Sequence, residues 1–311
     1  MTKRKIVLGS RGSKLALWQA SHVRDLLAER APEYEYDIRV IHTKGDKILD
    51  VALSKIGDKG LFTKELEREL MRGGVDLCVH SMKDMPTQLP DGLAILGVPE
   101  RAVPFDALVG PAGIALEGLP AGARVATGSL RRIAQLKRLR PDIQTCEMRG
   151  NIDTRIGRVM AGEFDAAILA AAGLHRLGLH ENIAQVLPAA TMIPAVGQGA
   201  IAVEAREGDD EVRRLCAAIT NDSTLRCVSA ERYVLRELEG GCQVPMGAHA
   251  GIAGEGDRAV FAMTAFVSSL DGSRFLQAAG QGACDGWLDV ASRITDDLVA
   301  QGAEEILEEL R

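Results

Sequence analysis

Two rhythms of apolar and polar positions run along this chain. The first occupies about two thirds of it. The short run around Ile6, Val7 and Leu8 predicts a strand over residues 5–9, and the turn Ser10-Arg-Gly-Ser13 ends it. Leu15, Trp18, His22 and Leu26 then recur at spacings of three and four, which predicts a helix over 15–30. Alternation over 36–42 predicts a second strand, residues 62–72 an amphipathic helix, and the run 75–80 a third strand. A β-α-β-α-β succession is the pattern of a mostly parallel sheet covered by helices. A similar cycle restarts beyond the 99–120 region. It has strands at 124–127, 143–147 and 165–170 and helices at 130–139 and 152–161, and the last strand runs into Ala171-Ala-Gly-Leu-His.

The second rhythm fills the last third. One helix is predicted over 223–239, then three alternating strands near 244–252, 259–270 and 274–280, then helices over 290–301 and 303–310. This reads as a small α+β domain. No low-complexity segment or short-period repeat is visible.

A chain of 311 residues suits two or three domains rather than one core. Aromatics make up only 4%, so the cores must be built from Leu, Ile, Val and Ala. The formal net charge of −6 argues against a general nucleic-acid or anionic-membrane binder, but leaves room for a local basic pocket. The first apolar run is too short for a secretory signal, and no stretch approaches the roughly 20 apolar residues of a membrane helix. The cysteines at 78, 146, 216, 227, 242 and 284 form no C-x-x-C pair and have no histidine at metal spacing. Scattered thiols of this kind suit a reducing compartment, so a cytoplasmic protein without a metal is expected.

Arginines recur at the strand-to-helix turns. Arg11 follows the first strand, Arg131 and Arg132 follow Thr127-Gly-Ser-Leu130, Arg149 and Arg155 bracket Gly150-Asn-Ile-Asp-Thr, and Arg176 closes Ala170-Ala-Ala-Gly-Leu-His. Open α/β sheets bind ligands beyond the carboxyl ends of their strands. Guanidinium forks there pair bidentately with carboxylates or phosphates. In His80-Ser-Met-Lys-Asp-Met-Pro86, Lys83 and Asp84 sit just past a buried strand. They read either as a capped turn or as an acid/base or cation-stabilising carboxylate beside an ammonium. The loop Ser54-Lys-Ile-Gly-Asp-Lys-Gly-Leu-Phe-Thr-Lys64 lacks Walker A spacing and reads as a solvated loop or an active-site lid. In Leu238-Glu-Gly-Gly-Cys-Gln-Val-Pro245 a cysteine behind two glycines lies in an accessible turn, where a thiolate can react. Gly197-Gln-Gly-Ala has too few glycines for a dinucleotide fingerprint.

Together these segments resemble the hydroxymethylbilane synthase (porphobilinogen deaminase) family. The matching stretches are Leu15-Ala-Leu-Trp-Gln, 55–65, 80–86, Ser129-Leu-Arg-Arg, Arg149-Gly-Asn-Ile-Asp-Thr-Arg155, 169–179, Pro194-Ala-Val-Gly-Gln-Gly-Ala and 238–247. They are collinear and span nearly the whole chain. The resemblance implies two similar α/β lobes like those of periplasmic binding proteins, plus a C-terminal α+β domain carrying Cys242. The first lobe would comprise 1–99 with 200–218, the second 100–199, and the third domain 222–311.

The activity implied is head-to-tail polymerisation of porphobilinogen with release of ammonia, then hydrolysis to a linear tetrapyrrole. The primer would be a dipyrromethane in thioether linkage to Cys242, with no metal or nucleotide. Each pyrrole carries an acetate and a propionate. By resemblance Lys83, Asp84, Thr127, Ser129, Arg131, Arg132 and Arg155 hold the cofactor. Arg11, Ser13, Phe62, Arg149, Arg155 and Arg176 hold the substrate. Asp84 stabilises the cation left when ammonia departs, and Lys55 and Lys59 belong to the lid loop. The family usually shows Gly-Thr-Ser-Ser before Leu-Arg-Arg, whereas this chain has Ala126-Thr-Gly-Ser129, so a side-chain contact from position 128 is lost. Relatives of this kind are usually monomers. The rival reading is a non-catalytic two-lobed anion-binding protein, which would explain the arginines but would not require Lys83-Asp84 or Cys242.

Overall fold

The computed structural model describes residues 3–47, 63–239, 244–254 and 256–310. Among these, 3–47, 63–102 and 199–225 form one compact unit, and the remaining residues form a second.

The first unit contains β1 (Lys5–Ser10), α1 (Lys14–Arg30), β2 (Glu35–Val40), α2 (Lys44–Lys47), α3 (Lys64–Met71), β3 (Leu77–Ser81) and β4 (Leu93–Gly97). The second unit begins with β5 (Asp106–Val109), β6 (Arg124–Ala126), α4 (Leu130–Leu139), β7 (Gln144–Cys146) and α5 (Ile152–Met160). It continues through β8 (Ala166–Ala170), α6 (Ala171–Arg176) and β9 (Ile183–Leu187). The chain then returns to the first unit with β10 (Ile201–Arg206) and α7 (Asp210–Ala218), which precede α8 (Asp222–Glu237).

The two five-stranded sheets have orders β2-β1-β3-β10-β4 and β7-β6-β8-β5-β9. They match position by position. In each, the first three strands are parallel and the fourth runs antiparallel to both its neighbours. The repeated topology defines two similar α/β lobes. The antiparallel strand comes from a different place in the chain each time. β5 precedes the parallel strands of its sheet, whereas β10 arrives after the whole second sheet has been built.

Central strands read as continuous apolar runs because both faces are covered. Thus Leu77-Cys-Val-His80 of β3 and Ala166-Ala-Ile-Leu169 of β8 are buried throughout. In the first lobe Ile6, Leu8, Leu77, Val79, Ile201 and Val203 pack against Ala20, Val23 and Leu27 of α1 and Val212 and Leu215 of α7. Each fully buried aliphatic side chain of this kind contributes about 1.5–3 kcal/mol.

The observed buried face of α1 differs from the expected one. Ala16, Gln19, Ala20, Val23 and Leu27 face inward, while Trp18 stays partly exposed and stacks on His22 with ring centroids 5.1 Å apart. Small residues at 16 and 20 allow close approach to the sheet, and this outweighs the larger apolar area of Trp18. The 99–120 region, passed over by periodicity, contains β5.

The remaining elements are β11 (Met246–Ala253), β12 (Val260–Ser268), β13 (Phe275–Ala283), α9 (Trp287–Ala300) and α10 (Ala303–Glu308). The three strands form an antiparallel meander. Its inner face packs on α8, α9 and α10 through Val234, Leu238, Phe261, Met263, Ile294, Leu298 and Ile306. This is the α+β region expected from the second rhythm. Among the described residues no helix is long and apolar enough to cross a membrane.

Candidate functional site

In the first lobe β1 and β3 are parallel neighbours, with Gly9 opposite Cys78, so their carboxyl ends emerge side by side. Arg11 follows β1 and is half-buried. Ser13 caps α1, its hydroxyl accepting from Ala16 N at 3.2 Å. Past β3, residues Met82–Asp84 form a single 3-10 turn. Met82 and Met85 are buried on either side of it, and this pair of apolar anchors turns Lys83 and Asp84 out to solvent. The turn is held at its base by Met82 N donating to Ala200 O at 3.0 Å and Met85 N donating to Met82 O at 3.1 Å. Beneath it Gln19 donates to Ser81 Oγ at 3.0 Å, and His80 Nε2 lies 3.1 Å from the buried Glu204 carboxylate. Arg11, Ser13, Lys83 and Asp84 therefore share one end of the first sheet.

In the second lobe β7, β6 and β8 are parallel, and their carboxyl ends again carry the predicted residues. Thr127 is buried, and its Oγ1 accepts from Ser129 N at 3.3 Å. Ser129 is the N-cap position of α4, where Arg131 and Arg132 occupy the first turn. Neither arginine is a solvated surface residue. Both are buried against Asp106, a residue that sequence reasoning missed. Arg132 donates through Nε and Nη2 to Asp106 Oδ1 at 3.1 and 2.7 Å, and Arg131 Nη1 lies 2.8 Å from Oδ2. Burial alone would raise the Asp106 carboxyl, but the two guanidiniums hold it well below the usual carboxylate range. Gln135 and Arg131 also hold the backbone of Ile193, so the segment before Pro194 is fixed to α4.

Arg149 and Arg155 flank the turn into α5. Gly150 between them has φ +110°, in the region that favours glycine, and an added Cβ would lie 3.1 Å from Thr154. Arg155 Nε donates to Gly150 O at 2.8 Å. Burial, together with the positive charges of Arg132 and Arg149, lowers Arg155 to about 10. Arg149 Nη2 is buried without a hydrogen-bond partner, and the Glu147 carboxylate reaches only to 4.0 Å from Nε. Arg176, at the end of α6, is lowered to about 10 by burial. Arg155 and Arg176 both remain cationic at neutral pH. Gly128 imposes no steric demand, since a Cβ there would meet only Met148 O at an ordinary 3.5 Å.

The C-terminal meander touches this region through Gly247 of β11. A Cβ at that position would lie 2.5 Å from Pro194 O and 3.0 Å from Arg131 Cδ. Glu231 of α8, fully buried, accepts from Gly197 N at 2.7 Å and Ala250 N at 2.8 Å, tying the same segments together. Gly247→Val is expected to destabilise the protein by about 2 kcal/mol or more, because a backbone carbonyl cannot move aside as a side chain can. A lower urea midpoint checks this, and an unchanged midpoint would contradict the close approach.

Cys242, Phe62, Lys55 and Lys59 lie outside the described residues. Of the other cysteines, Cys78, Cys216 and Cys227 are buried packing residues. Burial pushes the Cys216 thiol up to about 12 and Cys78 well above its ordinary value, so neither supplies a thiolate at neutral pH. No group of three or more His, Cys, Asp or Glu that could hold a metal occurs among the described residues.

The second α/β lobe gathers arginines beyond the carboxyl ends of its strands, which defines a class of protein suited to a ligand with several carboxylates. The buried, partnerless Arg149 Nη2, and an Arg155 disfavoured by burial and by the charges of Arg132 and Arg149, fit such a ligand, and a dipyrromethane with its acetate and propionate groups is one. Residues 6–214 match the family described as porphobilinogen deaminase, dipyromethane cofactor binding domain, and residues 225–300 match the porphobilinogen deaminase C-terminal domain. The chain is 47% identical over 309 residues to the porphobilinogen deaminase of Desulforamulus reducens, covering 99% of each chain. It is also 47% identical over 308 residues to that of Syntrophomonas wolfei, again covering 99% of each. The chain belongs to the porphobilinogen deaminase family, a family of transferases with hydroxymethylbilane synthase activity and a dipyrromethane cofactor. Among solved structures it is similar to the periplasmic aliphatic sulphonate binding protein SsuA from Escherichia coli. That match has a TM-score of 0.39 and 16% identity over 76% of this chain and 71% of that one, too distant to bear on function.

Proposed function

We propose that this chain polymerises porphobilinogen head to tail on a dipyrromethane primer in thioether linkage to Cys242, releasing ammonia at each addition. Hydrolysis then frees hydroxymethylbilane for porphyrin biosynthesis. The observation that supports this best is Arg155, a largely buried guanidinium disfavoured by burial and by the positive charges of Arg132 and Arg149. A single phosphate would satisfy one fork, whereas successive pyrrole rings present acetate and propionate groups to several.

In this reading Arg131, Arg132, Thr127, Ser129, Lys83 and Arg155 hold the primer, and Arg11, Ser13, Phe62, Arg149, Arg155 and Arg176 hold incoming rings. Lys55 and Lys59 belong to a lid loop. When bound, the dipyrromethane would supply the free pyrrole α-carbon for the first addition, and each later unit would add to the ring placed before it. Asp84, exposed at the end of β3, places a carboxylate against the cation that porphobilinogen becomes on losing ammonia. Opposing charge as it develops is among the largest electrostatic contributions a site can make. The protein works as a monomer in the cytoplasm, and the three-domain division at 1–99 with 200–218, 100–199 and 222–311 separates the two binding lobes from the domain that anchors the primer. A non-catalytic anion binder is disfavoured by the full-length relation to a family of enzymes.

Intact-mass spectrometry tests the reading. The purified protein is expected to be heavier than its sequence by one dipyrrole, and added porphobilinogen should produce a ladder spaced by one pyrrole unit. Cys242→Ser is expected to show neither. An unmodified wild-type mass with full activity would overturn the mechanism, and an adduct on another cysteine would overturn the attachment site.

A further inference from the structure

We infer that Asp106 is a positioning residue for primer capture, acting through Arg131 and Arg132 rather than on the pyrroles themselves. The inference rests on the carboxylate-binding reading of those arginines. Asp106 is the first residue of β5, opposite Ala170 of β8 and Leu187 of β9, and is completely buried. Its Oδ1 accepts from three donors: Arg132 Nε at 3.1 Å, Arg132 Nη2 at 2.7 Å and Gln198 Nε2 at 3.0 Å. Its Oδ2 faces Arg131 Nη1 at 2.8 Å. The far side of the Arg132 guanidinium is fixed as well, its Nη1 donating to Ile168 O at 2.8 Å. Arg131 uses one nitrogen, Nη1, both toward Asp106 and to donate to Ile193 O at 2.6 Å. The planar fork of Arg132, held on an edge by a carboxylate and at its tip by a backbone carbonyl, has little rotational freedom left. The directions in which its other N–H groups can meet a ligand are thereby set.

Charge and geometry make opposite predictions here. As a charge, Asp106 opposes an anionic ligand, so its removal should strengthen binding to the arginines. As a positioning group it keeps two adjacent buried cations from separating, so its removal should weaken capture. Geometry is expected to win, because a bidentate contact tolerates little displacement and an error of about 1 Å in such a contact costs on the order of a hundredfold. Gln198 strengthens the case. It belongs to the Gly197-Gln-Gly-Ala stretch that carries no nucleotide fingerprint, and its amide bridges Asp106 and Pro104 O at 2.7 Å.

The test compares wild type with Asp106→Asn and Asp106→Glu, each produced in cells that cannot make porphobilinogen and then given it. Adduct formation is followed by intact mass, and near-ultraviolet circular dichroism reports the fold. Asn keeps the shape but turns a donor toward Arg131, and loading is expected to slow by on the order of ten- to a hundredfold. Glu keeps the charge one methylene out of place, and loading is expected to fall between Asn and wild type. Should Asn fail to fold, Glu decides, since a role confined to charge or to fold stability predicts wild-type loading of any folded Glu variant. A folded variant that loads at the wild-type rate, or an Asn variant that loads faster, overturns the positioning role. A wild type that never acquires an adduct overturns the underlying reading instead.

Discussion

Asp84→Asn is expected to lower turnover by about 10²–10³-fold or more while the primer stays bound. The substitution keeps the size of the side chain and its place in the Met82–Asp84 turn, whose anchors are Met82 and Met85 and not the carboxylate. The fold should therefore survive, with an unchanged melting temperature and an unchanged adduct mass. What is lost is a negative charge that matters only while the substrate is becoming a cation. An interaction confined to the transition state lowers kcat and kcat/KM together and leaves KM alone. Steady-state kinetics checks this, and near wild-type turnover would remove Asp84 from the chemistry.

The arginines are expected to separate into two groups. Arg131→Leu or Arg132→Leu should leave protein without primer, whereas Arg149→Leu or Arg155→Leu should load primer but stall, accumulating species with partial pyrrole chains. The structure adds a second signature. Removing either of the first pair leaves the buried Asp106 with one guanidinium instead of two. Breaking a buried ion pair costs about 3–5 kcal/mol, so these variants should also melt earlier. Arg149 and Arg155 have no buried carboxylate among their hydrogen-bond partners described above, and their loss should relieve repulsion without lowering stability. Lysine should rescue poorly in all four places, since an ammonium cannot reproduce the fork. Equal loss of activity in all four variants, each fully loaded, would refute the division.

Periodicity gave the helices α4, α5 and α8 almost to the residue, and the parallel strands β1, β3, β6 and β8. These succeed because each is a short apolar run or a 3.6-period pattern bounded by turn residues, so the signal is local. It did not find β4, β5, β9 or β10. The run Ile201-Ala-Val203 is apolar enough for a strand, but nothing near it in sequence says that it lies between β3 and β4. Only resemblance to the family pointed to the return. The arginines were legible because they fall at the ends of predicted strands. Asp106 was not, because one acid in a stretch without helical or strand rhythm looks like any surface residue. Its partners lie 25 and 26 positions away on α4 and become visible only when the sheet brings β5 beside β8.

The place of β10 imposes an order on synthesis. A ribosome releases β3 and β4 early, yet among the described strands β4 pairs with nothing except β10, whose first residue is Ile201. β5 to β9 all lie between Asp106 and Leu187, so the second sheet has every strand it needs before the first does. The usual sequence, in which the N-terminal region folds first, is reversed. Until residue 206 has emerged, the growing chain holds the edge of β3 open, and unpaired edges of that kind recruit other chains. A nascent chain arrested between residues 187 and 201 is therefore expected to be more prone to association than one arrested after β10.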